Sequence, residues 1–382
     1  MKRTNPQIQA TELKFIAEDA DDVVRLMLGL GRGGTHGMLF LIALPIVGLF
    51  AEESFNYLRA VHRSPLAENI NNELFDEFGR VVTKIRARIK LMDDTDGGMI
   101  GLVDYMDLVR KRSKVLFKHP SNKFIQLLSG PFRPDLGIFF VNDRIIATTH
   151  VAIPAFGFSR EQIQAFRPGG FNALNSFTYE FAGAAGKYLA LVAAIMLPLG
   201  NSVCLDPPAL QTDIKVTNLD FIGNRFYKHR EKAVVPSESC SVAALTLLLS
   251  QTNSACFLLP TILGTGSNLL MRVQFLTAYH ASRTLRHVLC EIPSWLKEDA
   301  EPALEHRALR NTMAHYGLRG VAEYVVDTGT PFDAVIHSVS GINREQLADL
   351  VFKRLECISE LLQPGLSKTE LYPKGAFLGD HT

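Results

Sequence analysis

The sequence predicts a mainly α-helical protein, and three observations carry that expectation. Most of its 382 residues fall into segments whose apolar side chains recur at three- and four-residue intervals, the period of a helix buried on one face. Only one stretch, Gly137–Val151, has the adjacent β-rich runs of a pair of strands. With 47% hydrophobic and 21% charged residues, the chain can bury a sizeable core and is not of disordered type.

The elements follow in order. Thr11–Leu28 is periodic and ends near "GLGRGG" (Gly29–Gly34), which reads as a hinge between helices. Asn71–Leu91, Met99–Phe117 and Phe177–Met196 repeat the helical pattern. Inside "GIFFVNDRIIATTHV", Asn142-Asp143 separates the two β-rich runs and predicts a hairpin. Residues 1–204 are therefore expected to form a helical N-terminal region with a hairpin near 137–151. Residues 205–236 turn polar and rich in turn residues, and read as a linker. Beyond it Ser239–Leu259, Ser267–Glu291, Pro302–Tyr316 and Arg344–Gln363 have lengths that suit an antiparallel helical bundle over 237–365, followed by a tail, 366–382.

Several function classes fall away at this level. The formal net charge of +1 means that any nucleic-acid footprint is a local patch. Five cysteines without a C-x-x-C pair read as reduced thiols of a cytoplasmic protein, neither a disulfide framework nor a zinc site. The first residues lack the apolar run of a signal peptide. Met38–Phe50 and Tyr188–Gly200 are apolar, but both fall short of the about 20 residues that cross a bilayer, so buried helices and no membrane are expected. "GLGRGG" lacks the preceding strand of a dinucleotide site, and "MDDTDGG" (Met92–Gly98) puts Met92 and Val103 where a calcium loop needs carboxylates.

One helix carries chemistry. In "EPALEHRALRNTMAHYGLRG", Pro302 suits a first turn and Gly317 a position just past the end. At about 100° per residue, Leu309, Met313 and Tyr316 share one side, which would face a core. Arg307, Arg310, Asn311, Ala314 and His315 share the other, with His306 near the boundary and Leu304 on the polar side against the pattern. Arg310 and His315 are about 140° apart, so one helix does not aim both at one atom. A symmetry-related copy of the helix would supply the missing half.

The string "RNTMAH" (Arg310–His315) resembles the R-x4-6-H signature of the HEPN superfamily, whose polar residue after the arginine is matched by Asn311. The resemblance covers about Ser237–Gly365 and implies an all-α bundle. It also implies a metal-independent endoribonuclease without cofactor, of the kind found in toxin–antitoxin and antiviral defence systems. RNA would be the substrate, a homodimer the active form, and an antitoxin or other regulatory protein a possible partner. The looser spacing also occurs at Arg112–His119 and Arg144–His150, but only Arg310–His315 has Asn next on a helix within a bundle.

The residue types fit the reaction the resemblance implies. Cleavage of RNA through its own 2′-hydroxyl needs one proton removed, one delivered, and charge stabilised at phosphorus. An imidazole such as that of His315 serves as base or acid near neutrality. The Arg310 guanidinium can hold two phosphate oxygens at once, and Asn311 can orient His315 or donate to phosphate. His306 and Arg307 flank the motif as candidate RNA contacts. Arg86 and Arg88, and Arg110 and Arg112, lie in two basic runs that are either solvated faces or a phosphate-binding surface. His280, Arg283 and His287 make a stripe that reads as a polar seam or as part of the same cleft. The alternative for the whole chain is a non-catalytic helical RNA-binding or protein-interaction module, with Asn311 and His315 capping nearby carbonyls.

Overall fold

The first helix, α1 (Pro6–Arg32), runs through Gly29 and Gly31 and ends within the stretch expected as a hinge, whose Gly33 and Gly34 lie outside the described residues. The computed structural model describes residues 6–32, 37–61, 98–116, 135–155, 158–167, 171–205, 214–223, 225–227, 242–289, 291–316 and 331–367. Arg86 and Arg88, Gly317 and most of "MDDTDGG" lie outside them. Helix α2 (Gly37–Val61) contains the apolar stretch from Met38, keeps Pro45 inside it, and packs on α1. Helix α3 (Gly98–Leu116) carries the second basic run.

Strands β1 (Leu136–Val141) and β2 (Arg144–Thr148) form the expected antiparallel hairpin. Asn142 and Asp143 both adopt positive φ, 50° and 61°, as a two-residue turn matching the strand twist requires. A bulge between Phe139 and Phe140 shifts the register against β2. The hairpin ends early: Thr149 begins a short helix, α4 (Thr149–Ala155). Helices α5 (Arg160–Gln164) and α6 (Phe171–Met196) follow; α5 starts with a Ser159/Gln162 capping box.

The segment expected to link two domains contributes β3 (Val216–Phe221), which pairs antiparallel with β1 and gives the strand order β2-β1-β3. Its polar Thr217, Asn218 and Asp220 are what made this stretch look like loop. Helix α7 (Val242–Asn253) passes through a π turn (Ser254–Leu258) into α8 (Leu259–Leu263). Pro260 has no N–H to continue the i→i−4 ladder, and the Leu259 N–H reaches back to the Ser254 carbonyl. Asn253 and Ser254 donate to the carbonyls of Ile145 and Ile146 at 2.8 and 2.9 Å, covering the outer edge of β2.

Helix α9 (Asn268–Val288) opens with Ser267 as its N-cap. The stretch expected as one helix from Pro302 to Tyr316 is broken into α10 (Pro302–Glu305) and α11 (Arg307–Ala314), and is followed by α12 (Pro331–Ser340) and α13 (Arg344–Ser367). Helix α11 runs antiparallel to α9: Arg286 of α9 meets Glu305, while Arg272, near the start of α9, meets the far end of α11. α13 runs in the same direction as α9, with Arg344 on the Ser267 carbonyl and Arg354 on the Ser282 hydroxyl.

A single apolar cluster includes Phe15, Leu44, Ile138, Leu248, Phe275 and Leu355, drawn from both sides of residues 205–236. α1 packs on both α8 and α9, so the helices before and after those residues share one interior. Among the described residues two windows are long and apolar enough to cross a membrane: Val242–Leu263, 89% buried, and Phe181–Leu199, 28% buried. The second extends the Tyr188–Gly200 stretch beyond the length the sequence suggested.

Candidate active site

His306 causes the break before the motif. Its backbone is extended (φ −72°, ψ 109°), and its ring Nδ1 accepts the Leu309 N–H at 3.3 Å in the place of a Ser or Asp cap. This engages one nitrogen of the ring in helix initiation, although the residue itself is exposed. The break also explains Leu304, which is 2% exposed although a continuous wheel puts it on the polar side; α10 has its own orientation.

From Arg307 on, the wheel is obeyed except at Ala314, which was expected on the polar side and is only 6% exposed. Leu309 and Met313 are fully buried and Tyr316 is 3% exposed, whereas Arg307, Asn311 and His315 are exposed and Arg310 is half-buried. His315 is not helical; at φ −129°, ψ 154° it ends α11 in extended conformation. The helix therefore leaves carbonyls unbonded at its end, and Arg272 takes them. One nitrogen of this buried guanidinium, Nη1, donates to the Thr312, Met313 and His315 carbonyls at 3.3, 3.1 and 3.4 Å. A cation at a helix C-terminus also opposes the negative end of its dipole.

Arg272 is in turn neutralised from α1. Its Nε lies 3.3 Å from Asp19 Oδ2, and the same oxygen accepts the Tyr316 hydroxyl at 2.6 Å. Burial pushes the Asp19 carboxyl up, and Arg272 and the Tyr316 hydrogen bond oppose that shift. Burial, with Asp19 beside it, holds the Tyr316 phenol well above its ordinary range. The guanidinium also lies over the Tyr316 ring, 4.7 Å from its centroid.

The His315 side chain, 48% exposed, turns to α2, where Glu53 is buried. Its Nδ1 lies 2.6 Å from Glu53 Oε2. A carboxylate only accepts, so Nδ1 carries the proton and Nε2 is the ring nitrogen left for other chemistry. Glu53, not Asn311, orients this ring; the Asn311 side chain bonds no described residue. The sequence held no signal for this pairing, because the two residues are 262 positions apart.

Arg310 points elsewhere, to Tyr279 of α9, with its guanidinium carbon 5.8 Å from the ring centroid. Within one chain Arg310 and His315 thus lean on different helices, as the wide angle between them predicts. Four other arginines of this half face carboxylates: Arg272 faces Asp19, Arg286 Glu298 and Glu305, Arg344 Asp333, and Arg354 Glu301. Among the described residues Arg310 has no carboxylate partner, and its buried Nε–H has no acceptor.

The other sequence candidates separate from this site. Arg112 donates to the Gln164 and Phe166 carbonyls at the end of α5, and Arg110 lies 3.7 Å from Asp107. Both guanidiniums are engaged within the fold, Arg112 as a cap. His150, the end of the second loose motif, is wholly buried against Ser113, Tyr227 and the Asp135 carbonyl, and burial lowers it to about 4. In the stripe on α9, His280 is buried, Arg283 half-buried and His287 exposed. At the start of α9 a cavity of about 430 Å³ is lined by charged side chains of α1 including Glu18, Asp21 and Asp22, and by Arg344. Among the described residues no three His, Cys, Asp or Glu side chains are grouped to hold a metal ion.

No protein-family model, curated protein or solved structure matches the chain.

Proposed function

We propose that this chain is a metal-independent endoribonuclease acting as a homodimer, with His315 and Arg310 as its reacting pair. The observation that supports this most is the seating of His315. A half-exposed imidazole whose inner nitrogen is bonded to a buried carboxylate has the form of a general acid–base, with Nε2 turned to whatever binds. A residue serving only to close a helix end does not need a buried glutamate from another helix.

In the proposed reaction the 2′-oxygen attacks the adjacent phosphorus while its proton passes to a base. The phosphorus–5′-oxygen bond breaks, and the departing oxygen takes up a proton. The products are a 2′,3′-cyclic phosphate and a 5′-hydroxyl. Nε2 of His315 carries one of the two protons. The Arg310 guanidinium binds the phosphate oxygens where negative charge grows. Because the two side chains diverge within a chain, Arg310 of one copy would work with His315 of the other across a two-fold axis.

The test is incubation of the purified chain with single-stranded RNA in the presence of a chelator, followed by analysis of the ends. Fragments ending in a 2′,3′-cyclic phosphate support the reading; cleavage that the chelator abolishes removes it. The same divergence of Arg310 and His315 favours one other reading, a bundle that binds RNA without cutting it. Binding with no cleavage by the dimer would leave that reading standing.

A further inference from the structure

We infer that the cavity at the start of α9 is a binding site for a small zwitterion with an apolar body, a free aliphatic α-amino acid. No residue of the R-x4-6-H motif lines it, so this site and the ribonuclease reading stand or fall separately. Its volume of about 430 Å³ is of the size that encloses a small molecule. The charged side chains of its wall are Lys14, Arg25 and Arg344 against Glu18, Asp21 and Asp22, three of each sign. A simple anion or cation there meets three charges of its own sign, whereas a molecule carrying both signs finds partners for each. Phe15, Leu263 and Phe332 supply the apolar part of the wall, with the two rings edge to face at 5.6 Å.

The acidic end is held by the fold. The Asp22 side chain is 8% exposed, and its Oδ2 accepts the Ser267 hydroxyl at 2.6 Å. Burial, with Asp19 and Asp21 beside it, raises its carboxyl to about 6 against that hydrogen bond, and a bound ammonium opposes the shift. Asp21 Oδ1 accepts the Cys204 N–H at 2.5 Å, while its Oδ2 makes no hydrogen bond or ion pair with any described residue. The acids are not grouped as metal ligands, so an organic ammonium is the cation they suit. On the basic side, Lys14 lies 3.8 Å from Glu18 and Arg25 3.6 Å from Asp22, both beyond hydrogen-bond reach, so their donors remain for a carboxylate. Arg344 instead fixes the wall, through the Gly266 and Ser267 carbonyls at 2.7 and 3.2 Å. Asp21 and Arg25 are one helical turn apart on one face of α1, with about 5–6 Å between such Cβ atoms. That spacing suits the adjacent ammonium and carboxylate of an α-amino acid, not charges at the two ends of a long chain.

The experiment is isothermal titration calorimetry of the full-length chain with L-leucine. Three relatives dissect the ligand: 4-methylpentanoate lacks the ammonium, 3-methylbutylamine lacks the carboxylate, and 6-aminohexanoate is an isomer with its charges far apart. Each is expected to bind at least about tenfold more weakly than L-leucine. Asp21→Asn keeps the oxygen that accepts the Cys204 N–H and loses the charge; it and Arg25→Gln should each weaken L-leucine about tenfold. Lys353→Gln, on the exposed face of α13, should change nothing. No heat from L-leucine at millimolar concentration, a relative that binds as tightly, an unchanged affinity in Asp21→Asn, or an equal loss in Lys353→Gln overturns the site.

Discussion

Glu53 and His315 stand 262 residues apart in the chain and 2.6 Å apart in the fold. The carboxylate comes from α2 and the imidazole from just past the end of α11. Their contact joins the first part of the sequence to the motif that the second part carries.

Replacing the imidazole tests its role directly. His315→Ala is expected to lower cleavage roughly a hundred- to ten-thousandfold, the usual loss when a proton-transfer group is removed. It also leaves the buried Glu53 carboxylate without this partner, so stability should fall by about 1–3 kcal/mol, more than an exposed helix position would cost. Initial rates and urea unfolding together separate the two effects. Arg310→Lys is the companion change: charge is kept, the two-pronged grip is lost, and kcat should fall with little change in stability.

Glu53→Gln probes orientation without removing bulk. An amide can donate as well as accept, so it no longer fixes which ring nitrogen of His315 holds the proton. A kcat loss of about tenfold to a thousandfold is expected, with KM nearly unchanged. If KM rises instead and kcat holds, Glu53 shapes the binding surface and does not position the base.

The parts of this arrangement that the sequence revealed are those set by neighbours in the chain. Asn142-Asp143 announced the hairpin turn because only a few residue types adopt positive φ readily. Leu309, Met313 and Tyr316 announced the buried side of the motif by their spacing. The break at His306 was hidden because it depends on the rotamer of an imidazole that seldom caps helices. Strand β3 was hidden because its polar, turn-rich residues are held extended by pairing with a strand distant in the sequence, as Leu219 against Ile138 or Asn218 against Phe139 shows. Nothing in the sequence singles out Glu53, because its partner His315 is brought to it only when α2 and the end of α11 meet.

Arg272 should behave as a structural residue of the motif. Arg272→Met removes the cation that caps α11 and leaves Asp19 buried without it, so a loss of about 3–5 kcal/mol is expected in urea unfolding. Adding Asp19→Asn should restore part of that loss, because the two residues act as a pair. Strict additivity of the two single changes would contradict the pairing.

Two buried groups should pull stability in opposite directions with pH. Burial raises Asp22 from 3.8 to about 6, against its hydrogen bond from Ser267 and with Asp19 and Asp21 adding to the rise. The folded state holds that proton longer than the unfolded state, so this contribution is full below about pH 4 and is lost as pH rises through 6. Burial lowers His150 from 6.5 to about 4, so its contribution is full above about pH 6.5 and is lost as pH falls through 4. Each shift corresponds to as much as about 3 kcal/mol, and between pH 4 and 6 the two slopes oppose one another. Unfolding free energies across that range should rise more steeply with pH in Asp22→Asn and less steeply in His150→Gln than in the unsubstituted chain.

The seating of the motif on α1 and α2 bears on how this chain can be divided. A fragment cut to begin at Ser237 would contain every residue of the R-x4-6-H string and still lack both carboxylates on which it depends. Arg272 would stay behind without Asp19, and His315 without Glu53. Such a piece would keep the motif's letters and lose its meaning. In a search for the smallest active unit, truncation from the amino end should therefore silence the protein before it reaches the bundle.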